Sequence, residues 1–379
     1  MREAYITHHN IISSLGFTSE ANFDQLIQAK SGIKKYQREN NEVYFSSKVD
    51  KEKLNSEFKK IGDTESYTTL EKMMILSVNS ILSSSNYKIT KRTGLIIATT
   101  KGNIDTLSTS SKFYKDPKRS YLYELGNQIN DFFDFKNEAI VLSNACVSGV
   151  LAVSVAQRFI NDGVYEEVII VSGDLVSEFI LSGFTSFQAI SNEPCKPYST
   201  KRKGITIGEA VASVLVTSKK KKNAIQVLGT GSCNDANHIS GPSRTGEGLV
   251  MSVRSALNEA KIKTHEIDYI SAHGTATNFN DEMEAVAFSR LKMLETPINS
   301  LKGFYGHTLG ASGLLESIIG IKSLEKNTLI GSLGFDELGV SECINVIKKT
   351  EKKELNIFLK TASGFGGCNT AVIFKKSID

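Results

Sequence analysis

The stretch from Glu138 to Asp174, EAIVLSNACVSGVLAVSVAQRFINDGVYEEVIIVSGD, decides how the rest of the chain is interpreted. A short apolar run, Ala139 to Leu142, predicts a buried strand, and a turn of small residues separates it from apolar residues at helical spacing. A second apolar run, Val168 to Val171, predicts another buried strand. The stretch therefore predicts a unit of strand, tight turn, helix and strand, in which Cys146 opens the helix.

The position of Cys146 suggests a nucleophile. Unpaired backbone N–H groups and the positive end of the helix dipole favour a thiolate over a thiol, so we expect this cysteine to have a lowered pKa. A lone cysteine among small apolar residues is more often an inert packed side chain. Both interpretations stay open on this stretch alone, and other parts of the sequence have to decide between them.

The composition bounds the class of protein. A chain of 379 residues with 40% hydrophobic residues is able to bury a large core, either as two domains or as two halves of one body. The sequence contains no run of about 18 apolar residues, and its first residues lack the apolar core of a signal peptide. We therefore expect a protein without a membrane span, located in the cytoplasm.

The cysteine count and the net charge exclude further classes. Five cysteines, with no C-x-x-C pair, argue against a disulfide framework and against a cysteine zinc site, so no metal is expected. A net charge of +4 is mild for this length, and the basic residues are interleaved with acidic ones. No nucleic-acid partner is predicted.

Strands alternate with helices in both halves of the sequence, which predicts an α/β fold with mostly parallel buried strands. We expect the charged segment from Asn40 to Glu65 to be a solvated excursion, and a long polar stretch follows the predicted strand Thr93 to Ala98 and extends to Asn137. A duplication is suggested because Cys146 and Gly310 both precede a helix rich in small residues that follows a loop.

Three further windows carry residues able to do chemistry. ISAHGTAT, Ile270 to Thr277, brings a histidine to the C-terminal end of a predicted strand, where α/β proteins bind ligands. SLKGFYGH, Ser300 to His307, adds a lysine and a second histidine, and SGFGGCN, Ser363 to Asn369, is a glycine-rich turn around one phenylalanine. Each alone is compatible with a core histidine, a loop histidine or a tight hairpin. Together with Cys146 they favour a catalytic site.

The windows NACVSG, AHGTAT, LKGFYGHTLGASG and GFGGCN resemble the β-ketoacyl-acyl-carrier-protein synthases, the condensing enzymes of fatty acid and polyketide synthesis. The resemblance covers nearly the whole chain, and all four windows occur in the family's order. It implies a thiolase-like, five-layered α-β-α-β-α fold built from two similar halves. Residues 1–217 would form the half with the nucleophilic cysteine, and residues 218–379 the half with both histidines and the glycine-rich turn.

The resemblance also implies a mechanism. Cys146 would take an acyl group from a carrier protein as a thioester, and a malonyl carrier would then lose CO₂ and attack that thioester. His273 and His307 would stabilise the enolate through neutral Nε–H donors. Backbone N–H groups of Cys146 and Phe365 would form the oxyanion hole, and Phe365 would also act as a gate.

Further roles follow from the same resemblance. Lys302 looks like the active-site lysine and Glu316 like its acidic partner, while Thr275 and Thr277 would hydrogen-bond the phosphopantetheine arm. No bound cofactor is implied, because the carrier protein brings the 4′-phosphopantetheine. The family forms homodimers, or heterodimers with a related subunit.

Acidic carrier proteins are expected to meet a basic surface at the tunnel mouth. Lys118, Arg119 and Lys196 match family positions that commonly contact the carrier. A solvated face without a partner is the alternative.

The sequence departs from the family pattern at positions outside the catalytic set. These departures therefore bear on the pathway more than on the reaction. Lys203 replaces the usual aspartate, and the glycine expected after Glu209 is absent. These changes favour a specialised polyketide-like pathway, such as aryl polyene synthesis, over housekeeping fatty acid synthesis.

Two other functions stay open on the sequence. A non-condensing partner subunit normally lacks the cysteine, which is present here as Cys146. A thiolase would place a second catalytic cysteine near Cys368, although the G-F-G-G-x-N frame favours a packed thiol at that position.

Overall fold

The structure is a computed structural model that describes residues 2–38, 41–235, 239 and 241–377. Its strands are β1 (Tyr5–Ser13), β2 (Ile33–Gln37), β3 (Val43–Ser47), β4 (Thr93–Ala98), β5 (Ile140–Leu142), β6 (Glu167–Asp174), β7 (Ile207–Gly208), β8 (Ala210–Thr217), β9 (Ile225–Asn234), β10 (Tyr269–Ser271), β11 (Ile298–Asn299), β12 (Thr328–Leu329), β13 (Glu351–Lys352), β14 (Ile357–Gly364) and β15 (Cys368–Lys376). Its helices are α1 (Ser19–Ile27), α2 (Lys51–Phe58), α3 (Thr69–Ser85), α4 (Leu122–Phe133), α5 (Ser148–Asn161), α6 (Glu178–Ser186), α7 (Glu247–Ala260), α8 (Asn278–Arg290), α9 (Lys302–Tyr305) and α10 (Ser312–Lys326).

The main sheet has ten strands in the order β11-β10-β14-β15-β9-β1-β8-β6-β4-β5. It consists of two five-stranded halves that meet where Tyr5 and Ile6 of β1 pair with Ile225 and Gln226 of β9. Strands β2, β3 and β7 form a separate small sheet, and β12 pairs with β13. No helix in the described part of the chain is long and apolar enough to cross a membrane.

The two halves repeat the same topology. Going outward from the junction, β1, β8, β6, β4 and β5 correspond to β9, β15, β14, β10 and β11, with the same pattern of parallel and antiparallel pairing. The duplication suggested by the sequence is therefore confirmed by the order and direction of the strands.

The prediction of mostly parallel strands is wrong. Only the outer strands of each half, β4 with β5 and β6, and β10 with β11 and β14, pair in parallel among the described residues of the main sheet. The inner pairs are antiparallel. The short turn between β14 and β15 accounts for one of these antiparallel pairs, because two strands joined by a tight turn run in opposite directions.

The helices and half-sheets form five layers around separate hydrophobic cores. Helices α5 and α10 pack against each other between the two half-sheets, and their apolar residues belong to one shared core. Helices α3 and α4 cover the outer face of the first half, and α7 and α8 cover the outer face of the second. This is the five-layered α-β-α-β-α arrangement predicted from the sequence.

The two central helices begin with the same kind of turn. Ala145 and Leu309 both have a positive φ, 43° and 53°, which residues other than glycine rarely adopt. The following residue is Cys146 in the first half and Gly310 in the second. The repeat therefore supplies two equivalent turns, of which only the first carries a thiol.

The segment predicted as a solvated excursion is partly structured. Asn40, its first residue, lies outside the described residues, but β3 and α2 occupy much of the remainder. Leu54 and Phe58, one helical turn apart, are buried in the outer core. The polar stretch before Asn137 likewise contains α4, which buries Leu125 and Ile129. Helix α2 was missed because its four charged residues outnumber its two apolar ones. Helix α4 was missed because it lies within a longer polar stretch, although six of its twelve residues are apolar or aromatic.

Candidate active site

Cys146 lies in the turn between β5 and α5, just before Ser148, with which the helix begins. The Ser148 hydroxyl accepts from the Asn144 N–H at 2.8 Å and donates to the Ala145 carbonyl at 2.7 Å. This hydrogen bonding supports the left-handed conformation of Ala145. The prediction that Cys146 opens the helix is close, since it precedes the first turn rather than belonging to it.

The sulfur of Cys146 is shielded from water. The residue is 7% exposed, and burial raises the pKa of its thiol to about 12, with the neighbouring Cys368 acting in the same direction. The expected lowering of the pKa is therefore wrong for the resting site, because burial penalises the charged thiolate. Cys146 is a protonated thiol in this site at neutral pH.

Two histidines lie on the same pocket as Cys146. His273 follows the end of β10, and His307 follows α9, where its N–H donates to the Thr206 carbonyl at 2.6 Å. Their ring centroids are 5.1 Å apart with an edge-to-face angle of 82°. The fold thus brings together two histidines that lie 34 positions apart in the sequence.

The hydrogen bonds of His307 define its tautomer. The backbone N–H of Leu309 donates to Nδ1 at 3.2 Å, and the Ser312 hydroxyl lies 3.1 Å from the same nitrogen. Since a backbone N–H is only a donor, Nδ1 must accept, and the proton of the neutral ring is on Nε2. His307 therefore has the Nε–H donor that the sequence predicted.

Both histidines are uncharged at neutral pH. Burial, followed by the nearby Lys302 ammonium, holds the pKa of His273 and of His307 well below the usual range. Lys360 acts on both rings in the same direction. Neutral imidazoles are able to donate to a developing oxyanion without adding a proton to the nucleophile.

Lys302 and Glu316 form a buried ion pair behind the histidines. The Lys302 Nζ lies 2.8 Å from Glu316 Oε1 and donates to the His273 carbonyl at 2.5 Å. Their side chains are 1% and 4% exposed, and neither residue lines the pocket. The structure brings together the two residues that the sequence paired, in a position to hold His273 and not to touch a ligand.

Two acidic residues of helix α8 also hold the loop that carries His273. These two residues were not singled out from the sequence. Glu284 accepts from the N–H groups of His273 and Gly274 at 2.8 and 2.7 Å. Asp281 accepts from the Thr275 N–H at 2.9 Å, and burial raises its pKa to about 7. Two acidic residues three positions apart, close after the AHGTAT window, were the signal that could have identified them.

The glycine-rich turn Phe365 to Gly367 connects β14 to β15. Gly366 and Gly367 have φ values of 83° and 77°, which allow the tight reversal. A Cβ atom placed on Gly364 would lie 3.1 Å from the Cys146 backbone nitrogen. The window is therefore a tight hairpin, which was one of the interpretations that the sequence left open. The hairpin also packs directly on the backbone of Cys146.

Phe365 closes the pocket against two aromatic residues near α6. Its ring centroid is 5.5 Å from that of Phe184 and 5.4 Å from that of Phe187. Phe187 is itself 52% exposed. Phe365 therefore packs on two aromatic rings from a turn that is flanked by glycines.

These residues surround a pocket of about 530 Å³. Cys146, His273, His307 and Phe365 lie in it together with Thr275 and Thr277, whose hydroxyl oxygens are 2.9 Å apart. Other lining residues include Lys203, Arg244 and Phe279, of which Phe279 is 78% exposed. Neither Arg244 nor Phe279 was singled out from the sequence.

Cys368 lies beside the site without lining the pocket. Its sulfur is 3.4 Å from the Phe365 carbonyl oxygen, the residue is 4% exposed, and burial raises the pKa of the thiol to about 11. This geometry favours a packed thiol over a second catalytic cysteine.

The three lysine and arginine residues predicted to dock a carrier differ in their surroundings. Lys118 is exposed in the turn Pro117–Ser120. Arg119 instead forms an ion pair with the buried Glu71 at 2.6 Å, and its side chain is 11% exposed. Lys196 lies 2.9 Å from Glu193, which also pairs with Lys203. Arg119 thus has an internal partner that occupies its guanidinium group.

Comparison with known proteins identifies the class of protein that has this fold and site. The family model for the N-terminal domain of β-ketoacyl synthases matches residues 5–222, and the model for the C-terminal domain matches residues 224–336. The chain therefore belongs to the β-ketoacyl synthase family, whose members are enzymes of the acyltransferase class.

Particular relatives agree with this assignment. A putative mitochondrial 3-oxoacyl-acyl-carrier-protein synthase from Schizosaccharomyces pombe is 26% identical over 99% of both chains. The 3-oxoacyl-acyl-carrier-protein synthase 2 of Rhizobium meliloti is 31% identical over 63% of this chain and 61% of its own length.

Solved structures share the fold. A ketosynthase in complex with its chain length factor from Xenorhabdus doucetiae superposes with a TM-score of 0.88, at 23% identity over 99% of this chain and 98% of that chain. A β-ketoacyl synthase from Burkholderia phymatum gives a TM-score of 0.85, at 20% identity over the full length of both chains.

Proposed function

We propose that this protein joins an acyl group to a malonyl unit by decarboxylative Claisen condensation on an acyl carrier protein. The observation that carries the proposal is the convergence of a buried thiol and two neutral imidazoles on one pocket, Cys146, His273 and His307. A thiol that forms a thioester and two uncharged N–H donors are the groups that this reaction requires.

In the first half-reaction the sulfur of Cys146 attacks the thioester carbonyl of the acyl carrier. A carbon–sulfur bond forms to Cys146, the bond to the carrier's thiol breaks, and the cysteine proton passes to the departing thiolate. The backbone N–H groups of Cys146 and Phe365 stabilise the tetrahedral oxyanion. The close packing of Gly364 on the Cys146 nitrogen supports this pairing, because it brings the two backbone segments together.

In the second half-reaction the malonyl thioester loses CO₂ and becomes an enolate. Its methylene carbon attacks the acyl thioester, the bond between carbon and the Cys146 sulfur breaks, and a proton from solvent restores the thiol. The carrier then holds a β-ketoacyl group that is two carbons longer. His273 and His307 stabilise the enolate oxygen, and the Nε2–H tautomer of His307 supports this role.

The carrier protein supplies the 4′-phosphopantetheine arm as part of the substrate, and the proposal includes no bound cofactor. Thr275 and Thr277 would hydrogen-bond the arm through their hydroxyls, and their position in the lining of the pocket supports this role. Lys118 and Lys196 would contact the acidic carrier, and Lys203 and Arg244 in the pocket add positive charge along the arm's path.

We further propose that the active form is a dimer, either of two copies or with a related chain-length subunit. Strand β5 lies at one edge of the main sheet, and α4, which packs against it, exposes Tyr123 to 55%. Unpaired strand edges with exposed aromatic residues are typical of subunit contacts. The ketosynthase from Xenorhabdus doucetiae has a chain length factor as its partner, which supports a heterodimer.

The family assignment also bears on the pathway. We propose fatty acid synthesis or a specialised polyketide-like pathway, such as aryl polyene synthesis, and the family assignment supports either.

A cytoplasmic location is proposed because all five cysteines are free thiols, as expected in a reducing compartment.

The experiment is intact-mass analysis after incubation with acyl-loaded carrier, followed by addition of malonyl carrier. We expect one acyl adduct on the wild type, none on Cys146→Ala, and discharge of the adduct to a β-ketoacyl carrier. Cys368→Ala is the matched control and should retain the adduct, because its thiol does not line the pocket. An adduct that survives Cys146→Ala would contradict the proposal, and so would an acyl enzyme that malonyl carrier never discharges.

A further inference from the structure

A second lysine, Lys360, lies at the centre of the molecule near the histidines. It is on β14 opposite Ser271 of β10 in parallel register, and its side chain is 0% exposed. Burying an ammonium group is costly unless other groups replace its water. A lysine in this position therefore requires partners, and the structure supplies them.

The Lys360 ammonium donates to three carbonyl groups. Its Nζ lies 3.1 Å from the Ser271 oxygen, 3.2 Å from the Ala272 oxygen and 2.8 Å from the Thr361 oxygen. A neutral amine has only two N–H groups and cannot donate to all three carbonyls, and the Glu316 carboxylate oxygen 2.6 Å away also favours the charged form. The arrangement is therefore built for a protonated lysine.

The same ammonium shares a carboxylate with Lys302. Lys360 Nζ lies 2.6 Å from Glu316 Oε2, while Lys302 Nζ lies 2.8 Å from Glu316 Oε1. Lys302 also donates to the His273 carbonyl. The two lysines, linked through one glutamate, thus hold the carbonyls of three successive residues that end with His273.

We propose that Lys360 is a positioning residue for His273: it fixes the backbone that leads from β10 into His273 and holds Glu316 for Lys302. The inference rests on the proposed condensation reaction and adds a residue to it. Because Lys360 contacts the segment of His273 and not that of Cys146, its effect should fall on decarboxylation and condensation, with acylation of Cys146 unaffected.

The charge of Lys360 gives the proposal a second readout. The charged groups that act on the two imidazoles are the ammonium groups of Lys302 and Lys360. The Glu316 carboxylate pairs with both ammonium groups, Glu284 accepts from the backbone N–H of His273, and the Cys146 thiol lines the same pocket. Positive charge from Lys360 lowers the pKa of both histidines. Its removal should raise these pKa values, so that the imidazoles protonate at higher pH and activity is lost earlier on acidification.

The test compares Lys360→Met with Lys322→Met in the full-length protein. Lys322 is the matched control, since its side chain is 8% exposed and paired with Glu20 and Glu325, away from the histidines. For Lys360→Met we expect kcat for condensation to fall about 10- to 100-fold. KM for malonyl carrier and the rate of Cys146 acylation should stay within about twofold of wild type, and the acid limb of the pH profile should move to higher pH.

The activity of the wild type distinguishes a failure of the proposed function from a failure of the proposed role of Lys360. A wild type that does not condense contradicts the proposed function, whereas an active wild type matched by Lys360→Met in rate and pH profile overturns the role of Lys360 alone. Equal losses of acylation and condensation, with an unmoved acid limb, would assign Lys360 to stability and overturn the proposal too. If Lys360→Met does not fold, the test is repeated with Lys360→Gln, which keeps a hydrogen-bond donor and removes the charge. If neither variant folds, Lys360 is assigned to stability and the proposal is overturned.

Discussion

At the scale of single residues, the site depends on buried charges that hold backbone groups. Glu284 accepts the N–H groups of His273 and Gly274, and Lys302 donates to the His273 carbonyl. A carboxylate or ammonium group without water makes stronger hydrogen bonds than a neutral partner does. The orientation of His273 therefore depends on charges that never contact a ligand.

The neighbouring residues Lys118 and Arg119 should respond differently to substitution. Lys118→Glu removes an exposed positive charge, so we expect a higher KM for the carrier with unchanged thermal stability. Arg119→Gln leaves the fully buried Glu71 without its ion-pair partner and should destabilise the fold by about 3 kcal/mol. Steady-state kinetics with carrier and thermal unfolding of both variants check this. Unchanged carrier kinetics for Lys118→Glu would remove it from the docking surface.

At the scale of elements, the hairpin between β14 and β15 connects Phe365, the proposed gate, to Cys146, the proposed nucleophile. Phe365 contacts two aromatic rings on one side, and the flanking Gly364 packs on the Cys146 backbone on the other. Displacement of the turn is therefore expected to change both access to the Cys146 thiol and the position of the Phe365 N–H, the proposed oxyanion donor.

Gly364→Ala tests this connection. The added Cβ atom would lie 2.8 Å from the Cys368 sulfur and 3.1 Å from the Cys146 nitrogen, so the turn has to shift away. We expect acylation of Cys146 to slow at least about tenfold, measured as a mass time course. The double variant with Cys368→Ala relieves the shorter contact and should recover part of the rate. Wild-type acylation in Gly364→Ala would show that the turn does not have to lie against Cys146.

At the scale of the whole molecule, the duplicated halves meet through the central helices. A Cβ atom on Gly149 of α5 would lie 2.6 Å from the Gly310 carbonyl, and one on Gly313 of α10 would lie 2.8 Å from the Val150 nitrogen. The repeated glycines allow the two helices to touch backbone to backbone. This contact places the turn of Cys146 next to the half that supplies both histidines.

Gly313→Ala should therefore weaken the association of the two halves. The methyl group would meet the Val150 backbone, which is unable to move as a flexible side chain does, and we expect a loss of about 1–3 kcal/mol. Gly183→Ala in α6, with nothing within 4 Å of its Cβ position, is the control and should leave Tm unchanged or higher. Differential scanning calorimetry at one scan rate measures both. Equal Tm values for Gly313→Ala and wild type would contradict the close packing.

The sequence by itself determined the features that depend on local chemistry. The turn before α5, the windows around His273 and His307 and the glycine-rich turn follow from short runs of residues, and they were enough to indicate the family and its layered fold. Helix α2 was missed because few of its residues are apolar, and α4 was missed because it lies within a longer polar stretch. The strand directions were not predicted because most pairings join segments far apart in the chain.

Only the tertiary structure decided which charges are buried and what they contact. Lys360 reads in sequence as one more lysine in a strand, and its role appears only when β14 pairs with β10 and brings the Ser271 carbonyl and Glu316 to its ammonium group. In the same way, the raised pKa of Cys146 depends on the burial of its thiol. Burial and long-range pairing set the electrostatics of this site, and neither is encoded in the spacing of neighbouring residues.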